Sequence, residues 1–286
     1  MPFVLLAFIS VPGHASAEKL KVAASIAPLA DFARQVGGDK VSVTLLLPPG
    51  ASPHTYEPTP KTVREIAASK IFIKIGAGFE SWAERLIAAS NPKIITIDSS
   101  EGIELLTLEG DDGHAHAHSA DPHIWLDPLI CVTIIEKITG VFSGIDSANA
   151  AFYKENAGSY IERLRALDKE IGDEVKAFST KKFVAFHPAW NYFARRYGLE
   201  VIGVIEEGPG KEPAPKHLGE LLEKLKKLET RIVVAEPQFS PRTAEAIARE
   251  AGGKVIFLDP VGGQKGRGTY LETMRHNLAK MKEAMK

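Results

Sequence analysis

Residues 146–178 read DSANAAFYKENAGSYIERLRALDKEIGDEVKAF, with no proline and no strand-like apolar run. Tyr153, Ala157, Tyr160, Leu164, Leu167, Ile171, Val175 and Phe178 recur at steps of three and four, with Lys, Glu, Arg and Asp between them. That spacing lays one apolar stripe along an α-helix and puts charge on its other faces. At 1.5 Å rise per residue such a helix is roughly 50 Å long, more than one small domain needs. Asp146 or Ser147 is placed to cap its start. The stretch predicts a rigid linking helix with a separate lobe at each end.

The flanking sequence agrees. Before the helix, apolar runs at 20–24, 41–47, 71–75 and 94–97 read as strands, and amphipathic stretches at 28–36, 60–69 and 80–90 read as helices. A further helix is expected at 128–142. After the linking helix, strand-like runs at 183–186, 199–205, 232–235 and 255–258 alternate with helical stretches at 188–197, 215–228, 241–251 and 269–285. Alternation of this kind predicts α/β lobes, each a parallel sheet with helices on its faces. The expected division is an N-terminal lobe over 18–145, a linking helix over 146–178 and a C-terminal lobe over 179–286.

Residues 3–11 form a short apolar run, too short to span a bilayer, followed by Ala15-Ser16-Ala17. The small-x-small pattern predicts a signal peptide over 1–17, cut before Glu18, although no Lys or Arg precedes the run. No cysteine follows it, so a soluble exported protein without a lipid anchor is expected, and no later stretch reads as a membrane span. Cys131 is the single cysteine, which excludes an intrachain disulfide and a cysteine zinc cluster. A net charge of -1 gives no electrostatic reason to expect a nucleic-acid partner.

Nine histidines are present, and their placement is uneven. His54 follows the strand ending at Leu47, His187 directly follows 183–186, and Asp259 directly follows 255–258. His123 lies in Asp121-Pro122-His123, between a loop and a helix. Ligands of open α/β sheets bind outside the carboxyl ends of the strands, and two facing lobes bring two such edges together. His54, His123, His187 and Asp259 are therefore the candidate metal ligands, a tetrahedral set of three nitrogens and one oxygen that suits Zn2+. A lone histidine after a strand is more often a packing residue, so the reading rests on the combination. His114, His116 and His118 alternate with small residues in an acidic loop over 109–120, a composition for loose auxiliary metal contact; Glu57 is a further auxiliary candidate. His217 and His276 read as surface or packing residues. Gly76-Ala77-Gly78 lacks the third glycine of a dinucleotide turn, and the glycine-rich segment 262–268 lacks phosphate-loop spacing and reads as a mobile loop.

Taken in order, residues 50–60, 121–128, 186–197, 236–240 and 258–263 resemble the signature stretches of the cluster A-I substrate-binding proteins of zinc and manganese ABC importers, the zinc branch above all. The resemblance covers nearly the whole chain after residue 17. It implies two Rossmann-like lobes joined by a long helix, with metal in the cleft between them, and ligands at His54, His123 and His187. Asp259 falls where some members supply a carboxylate and others use water or a nearby Glu. Manganese-binding members often carry Glu at the third histidine; His187 favours zinc. The implied function is extracytoplasmic capture of Zn2+ and delivery to an ABC importer, with a membrane permease and an ATPase as partners and the binding protein monomeric. The alternatives are manganese uptake on the same fold, a zinc-dependent hydrolase or lyase, and an adhesin or metal buffer without a transporter.

Overall fold

The computed structural model describes residues 18–108, 119–206, 213–228 and 231–286. The expected signal peptide and the loop histidines His114, His116 and His118 lie outside the described residues.

The chain folds as two α/β lobes in series. The first contains β1 (Leu20–Ala24), α1 (Ala27–Gly37), β2 (Val41–Leu45), α2 (Pro60–Ala68), β3 (Ile71–Lys74), α3 (Ser81–Ser90) and β4 (Ile95–Asp98). Two short strands, β5 (Thr107–Leu108) and β6 (Ser119–Ala120), pair antiparallel and precede α4 (Pro128–Ile145). After α5 (Ala150–Lys176) the second lobe contains β7 (Lys182–Ala185), α6 (Asn191–Tyr197), β8 (Glu200–Val204), α7 (Pro215–Lys226), β9 (Ile232–Ala235), α8 (Arg242–Ala251), β10 (Lys254–Phe257) and α9 (Tyr270–Met285).

The sheets are wholly parallel, in the orders β2-β1-β3-β4 and β10-β9-β7-β8. In each, the first strand of the lobe is central and the chain winds out first to one side and then to the other. The switch points lie between β1 and β3 and between β7 and β9, where a crevice opens at the carboxyl ends. β9 is buried throughout, as a strand covered by helices on both faces must be.

α5 buries Tyr153, Ala157, Tyr160, Leu164, Leu167, Ile171 and Val175, the stripe expected from the sequence. It packs on α4, α1, α9 and α6, so the main core runs continuously from one lobe into the other. The helix starts later than expected. Residues 147–149 form a 3-10 turn, and the Asp146 carboxylate accepts from Tyr153 Oη and Asn149 Nδ2 instead of capping the helix. At 27 residues it spans about 40 Å, not 50.

A second expectation is corrected at α4, whose 18 residues have a mean hydropathy of 1.6 and pass, by length and composition, for a membrane span. α5, α1 and β4 pack against it, and Ile134, Ile135, Ile138 and Phe142 are among its buried residues.

Buried polar bonds also join the lobes. Asp31 of α1 accepts from Tyr160 Oη of α5 (3.1 Å) and from the backbone N–H of Tyr270, the first residue of α9 (2.9 Å). Trp125 Nε1 donates to Pro260 O at 2.7 Å, and Tyr270 Oη donates to Trp125 O at 2.8 Å.

Candidate metal centre

Each of the three histidines reaches the cleft by a different local device. After β2 the segment 46–59 carries Pro48, Pro49, Pro53 and Pro58 and forms no regular element until α2. Proline lacks the backbone donor and biases the preceding residue away from helix, so the segment stays an irregular loop with His54 on it. Thr59 closes the loop with a capping box on Thr62, whose Oγ1 also meets Tyr56 Oη at 2.8 Å.

His123 is set by Asp121. Asp121 N donates to Leu106 O beside the β5–β6 pair, and its Oδ1 accepts both the backbone N–H and Nδ1 of His123, at 2.9 and 2.7 Å. This Asx-type turn fixes the ring. Asp121 Oδ2 accepts from Asn191 Nδ2 at 3.0 Å, and its carbonyl accepts from Tyr192 Oη, so α6 of the second lobe braces it.

His187 comes off the end of β7, where Phe186 N still bonds Val234 O of β9. Glu236 leaves the end of β9, and its Oε1 stands 2.6 Å from His187 Nδ1. The contact is close but off-line, so neither atom completes an aligned hydrogen bond.

With Nδ1 of His123 and His187 facing carboxylates, Nε2 faces the cleft. His123 Nε2 lies 3.3 Å from His54 Nε2 and 3.3 Å from His187 Nε2. The three side chains form the group, among the described residues, whose ligand atoms converge closely enough to hold one ion. Phe79 packs edge-on against His54 and His123, Trp125 against His123, and Phe239 against His187. The cavity lined by the three histidines, Trp125 and Phe239 measures about 10 Å³.

Burial, then the neighbouring His123 and His187, pushes the His54 imidazole down to about 2. Burial also lowers His123, against the opposing pull of Asp121. Both shifts favour the neutral imidazole, the form that binds metal.

The remaining expected site residues lie elsewhere. The Asp259 carboxylate does not join the converging group. Its Oδ1 accepts from Gln238 Nε2 and from the backbone N–H of Val261 and Gly262, and its Oδ2 faces Arg267 Nη1 at 3.2 Å. This fully buried carboxylate thus has three donors on Oδ1 and only the Arg267 guanidinium opposite Oδ2. Glu57 is exposed and outside the group. His217 Nε2 lies 2.7 Å from Val204 O, away from the cleft group.

The glycine-rich segment is not loose. Gly263 N bonds Arg267 O, Arg267 N bonds Gln264 O, and Gly262, at φ 71°, sits so close to Thr273 that a Cβ would meet its Oγ1 at 2.3 Å. Sequence reasoning passed over Asp121 as the partner of His123 and Glu236 as the partner of His187. A signal for the latter existed: Glu236 follows a strand end by the same rule that singled out His187.

A family model described as "Zinc-uptake complex component A periplasmic" matches residues 22–284, all three histidines included. The chain belongs to this family. Among relatives, it is 32% identical to the zinc-binding lipoprotein AdcA of Streptococcus pneumoniae, over 93% of this chain and 56% of that protein. It is 30% identical to the high-affinity zinc uptake system protein ZnuA of Bacillus subtilis, over 94% of this chain and 88% of that one. The chain thus spans little more than half the length of AdcA. A crystal structure of ZnuA superposes with a TM-score of 0.86 at 32% identity, covering 94% of this chain and all of that one. The two-lobed architecture is the family's.

Proposed function

We propose that the protein is an extracytoplasmic solute-binding protein that captures Zn2+ and delivers it to an ABC importer, with a membrane permease and an ATPase as its partners. The observation that carries this reading is the Nε2 triangle. Tetrahedral zinc with Zn–N of about 2.0–2.1 Å requires nitrogens about 3.3–3.4 Å apart, and His123 Nε2 stands 3.3 Å from each of the other two. Asp121 holds the His123 ring with Nε2 inward, the usual outer support of a metal-bound imidazole, and Glu236 stands 2.6 Å from His187 Nδ1. Two carboxylates also balance the charge of a divalent cargo. The names of AdcA and of the Bacillus ZnuA, both zinc proteins, point the same way.

A cavity of about 10 Å³ between Pro53, Trp125 and Phe239 has room for an ion and not for an organic substrate. That favours cargo binding over a zinc hydrolase or lyase, and we read the protein as no enzyme. His54, His123 and His187 are the proposed ligands. The lobes are taken as 18–145 and 179–286 about the helix 146–178. The finer parts of the reading are a soluble monomer released by cleavage before Glu18, and auxiliary metal contact by His114, His116 and His118.

Native mass spectrometry of untagged protein, with competitive titration of the metal-free form by Zn2+ and Mn2+, tests the function. One tightly bound zinc, strongly preferred over manganese, is expected. Equal or tighter manganese binding moves the function to manganese uptake, and retention of residues 1–17 in secreted protein removes the cleavage site. Detergent phase partition of that protein distinguishes a soluble form from an anchored one.

A further inference from the structure

The crevice at the switch point of the first sheet is filled by the protein's own carboxylate. Ser25 follows β1, Ile75 and Gly76 follow β3, and all three donate to Glu80. Ser25 Oγ bonds Oε1 at 2.6 Å, Ile75 N bonds Oε1 at 2.7 Å, and Gly76 N bonds Oε2 at 3.1 Å. Glu80 is only 2% exposed. Burial pushes its carboxyl up to about 7 against those three bonds, so the fold keeps it there at a cost. Between the strand end and Glu80 the backbone passes through three successive left-handed residues, Gly76, Ala77 and Gly78, at φ 85°, 51° and 79°. Ala77 is the one non-glycine at positive φ among the described residues, and Gly76 has no room for a side chain, because a Cβ would meet Asp98 Oδ1 at 2.0 Å. Backbone strain of this kind persists only where the surroundings over-determine it.

The turn delivers Phe79. Phe79 N bonds Gly76 O at 3.0 Å, and the buried ring packs on His54, His123 and Trp125 at centroid distances of 5.1, 6.0 and 5.2 Å. His123 and His187 each face a carboxylate with Nδ1, whereas among the described residues no carboxylate pairs with His54. His54 also sits on an irregular loop. Its orientation therefore depends on packing, and Phe79, at 85° to it, is the aromatic ring other than the two histidines that packs on it among the described residues.

We propose that Glu80 is a positioning residue of the metal site: by fastening the turn 76–78 it seats Phe79, and Phe79 holds the His54 imidazole toward the ion. The inference rests on the reading that His54, His123 and His187 hold metal. The side-chain bonds of Glu80 all go to Ser25, Ile75 and Gly76, so its influence on the ligand runs through Phe79. In Glu80→Gln the side-chain size is kept, but one acceptor oxygen becomes an NH2 group facing a donor. One side of the clasp is lost, and the left-handed turn is free to relax.

The test compares the unmodified protein, Glu80→Gln, Phe79→Ala and the double variant. Zn2+ affinity is read by chelator competition, ligand geometry by the visible absorption of bound Co2+, and stability by urea denaturation of the metal-free forms. Phe79→Ala should weaken zinc about tenfold and change the Co2+ band, an effect of the size that outer partners of bound histidines have. Glu80→Gln should move both in the same direction, with affinity falling about threefold or more. In the Phe79→Ala background Glu80→Gln should leave affinity and band where they are while still lowering stability, because the path to His54 is already cut. A merely structural Glu80 does not produce that pattern.

Unchanged zinc affinity and band in Glu80→Gln overturn the proposal, and so does an equal loss from Glu80→Gln in both backgrounds. Unaltered affinity in Phe79→Ala overturns it as well. Ser25→Ala, which removes one donor from Oε1 and is read in the same way, stands in if Glu80→Gln does not fold. Absence of a tight zinc in the unmodified protein strikes the metal-site reading itself, and unaltered binding in His187→Ala does the same.

Discussion

Asp121→Asn isolates the contribution of a charge that touches no metal. Asp121 and His123 are buried, and Oδ1 takes two bonds from His123. The amide oxygen of Asn can keep the Nδ1–H contact, so the ring and its tautomer stay in place. What is lost is the charge, together with the bond from Asn191 Nδ2, which would face an NH2 group in the variant. A hydrogen bond to a charged acceptor contributes about 1.5–3 kcal/mol and a neutral one about 1. The difference is about 1–2 kcal/mol, or about 5- to 30-fold in affinity. Outer-sphere partners of metal-bound histidines generally contribute 10- to 100-fold. Zinc affinity is therefore expected to fall about 10- to 30-fold, with circular dichroism unchanged. The assay is competition against a chromophoric chelator at neutral pH. A dissociation constant within about twofold of the unmodified protein's would show that the buried carboxylate does not tune the ligand, and the argument from Asp121 and Glu236 would fail with it.

Other outcomes follow from the same geometry. His187→Ala should weaken zinc by at least a hundredfold, about 2.7 kcal/mol or more, in the same chelator competition, because the second lobe then supplies no imidazole. The metal-free protein should lose stability as pH falls below about 6.5. His54 is held neutral down to about 2 in the folded state, and the unfolded chain takes up its proton near 6.5, so the folded state binds fewer protons in that window. The ceiling is about 1.4 kcal/mol per pH unit, or about 2 kcal/mol for His54 between pH 6.5 and 5. Urea denaturation at the two pH values reads it, His54→Asn should shrink the difference, and a flat profile contradicts it. Deleting 114–118 should remove weak zinc equivalents in calorimetry and spare the tight one; loss of the tight one would invert the assignment. Tyr160→Phe, which takes one donor from buried Asp31, should cost about 1–2 kcal/mol in urea denaturation.

The sequence carried the two-lobed fold because its signals are local. The α5 stripe from Tyr153 to Val175 and the strand runs of both sheets need only periodicity and length to be read. It also carried the candidacy of His54 and His187, since a histidine past a strand end is placed at the ligand edge by topology, whereas His123, between a loop and a helix, joined them only through the combination. It could not carry what depends on side chains meeting across the fold. Asp259 follows a strand end as His187 does, and nothing in 262–268 announces that Arg267 reaches back to neutralise it. The β5–β6 pair is two residues long on each side, too short for alternation to register. Asp146 has the composition of a cap, but a 3-10 turn at 147–149 intervenes and its carboxylate goes to Tyr153 instead.

Each sheet is built from one contiguous stretch of chain, with α5 between them. This ordering bears on biosynthesis. Domains tend to fold as units, the N-terminal one first. The first lobe contains His54 and His123 but not His187, and two imidazoles hold a metal far less firmly than three. On the proposed ligand set a half-made chain therefore offers no tight binding centre, and His187 is placed only when β7 pairs with β8 and β9. Neither lobe needs an ion to complete its sheet, so a chelator should empty the protein without unfolding it. Metal capture is then a property of the finished molecule, and the nascent chain is spared from trapping whichever divalent ion it meets first.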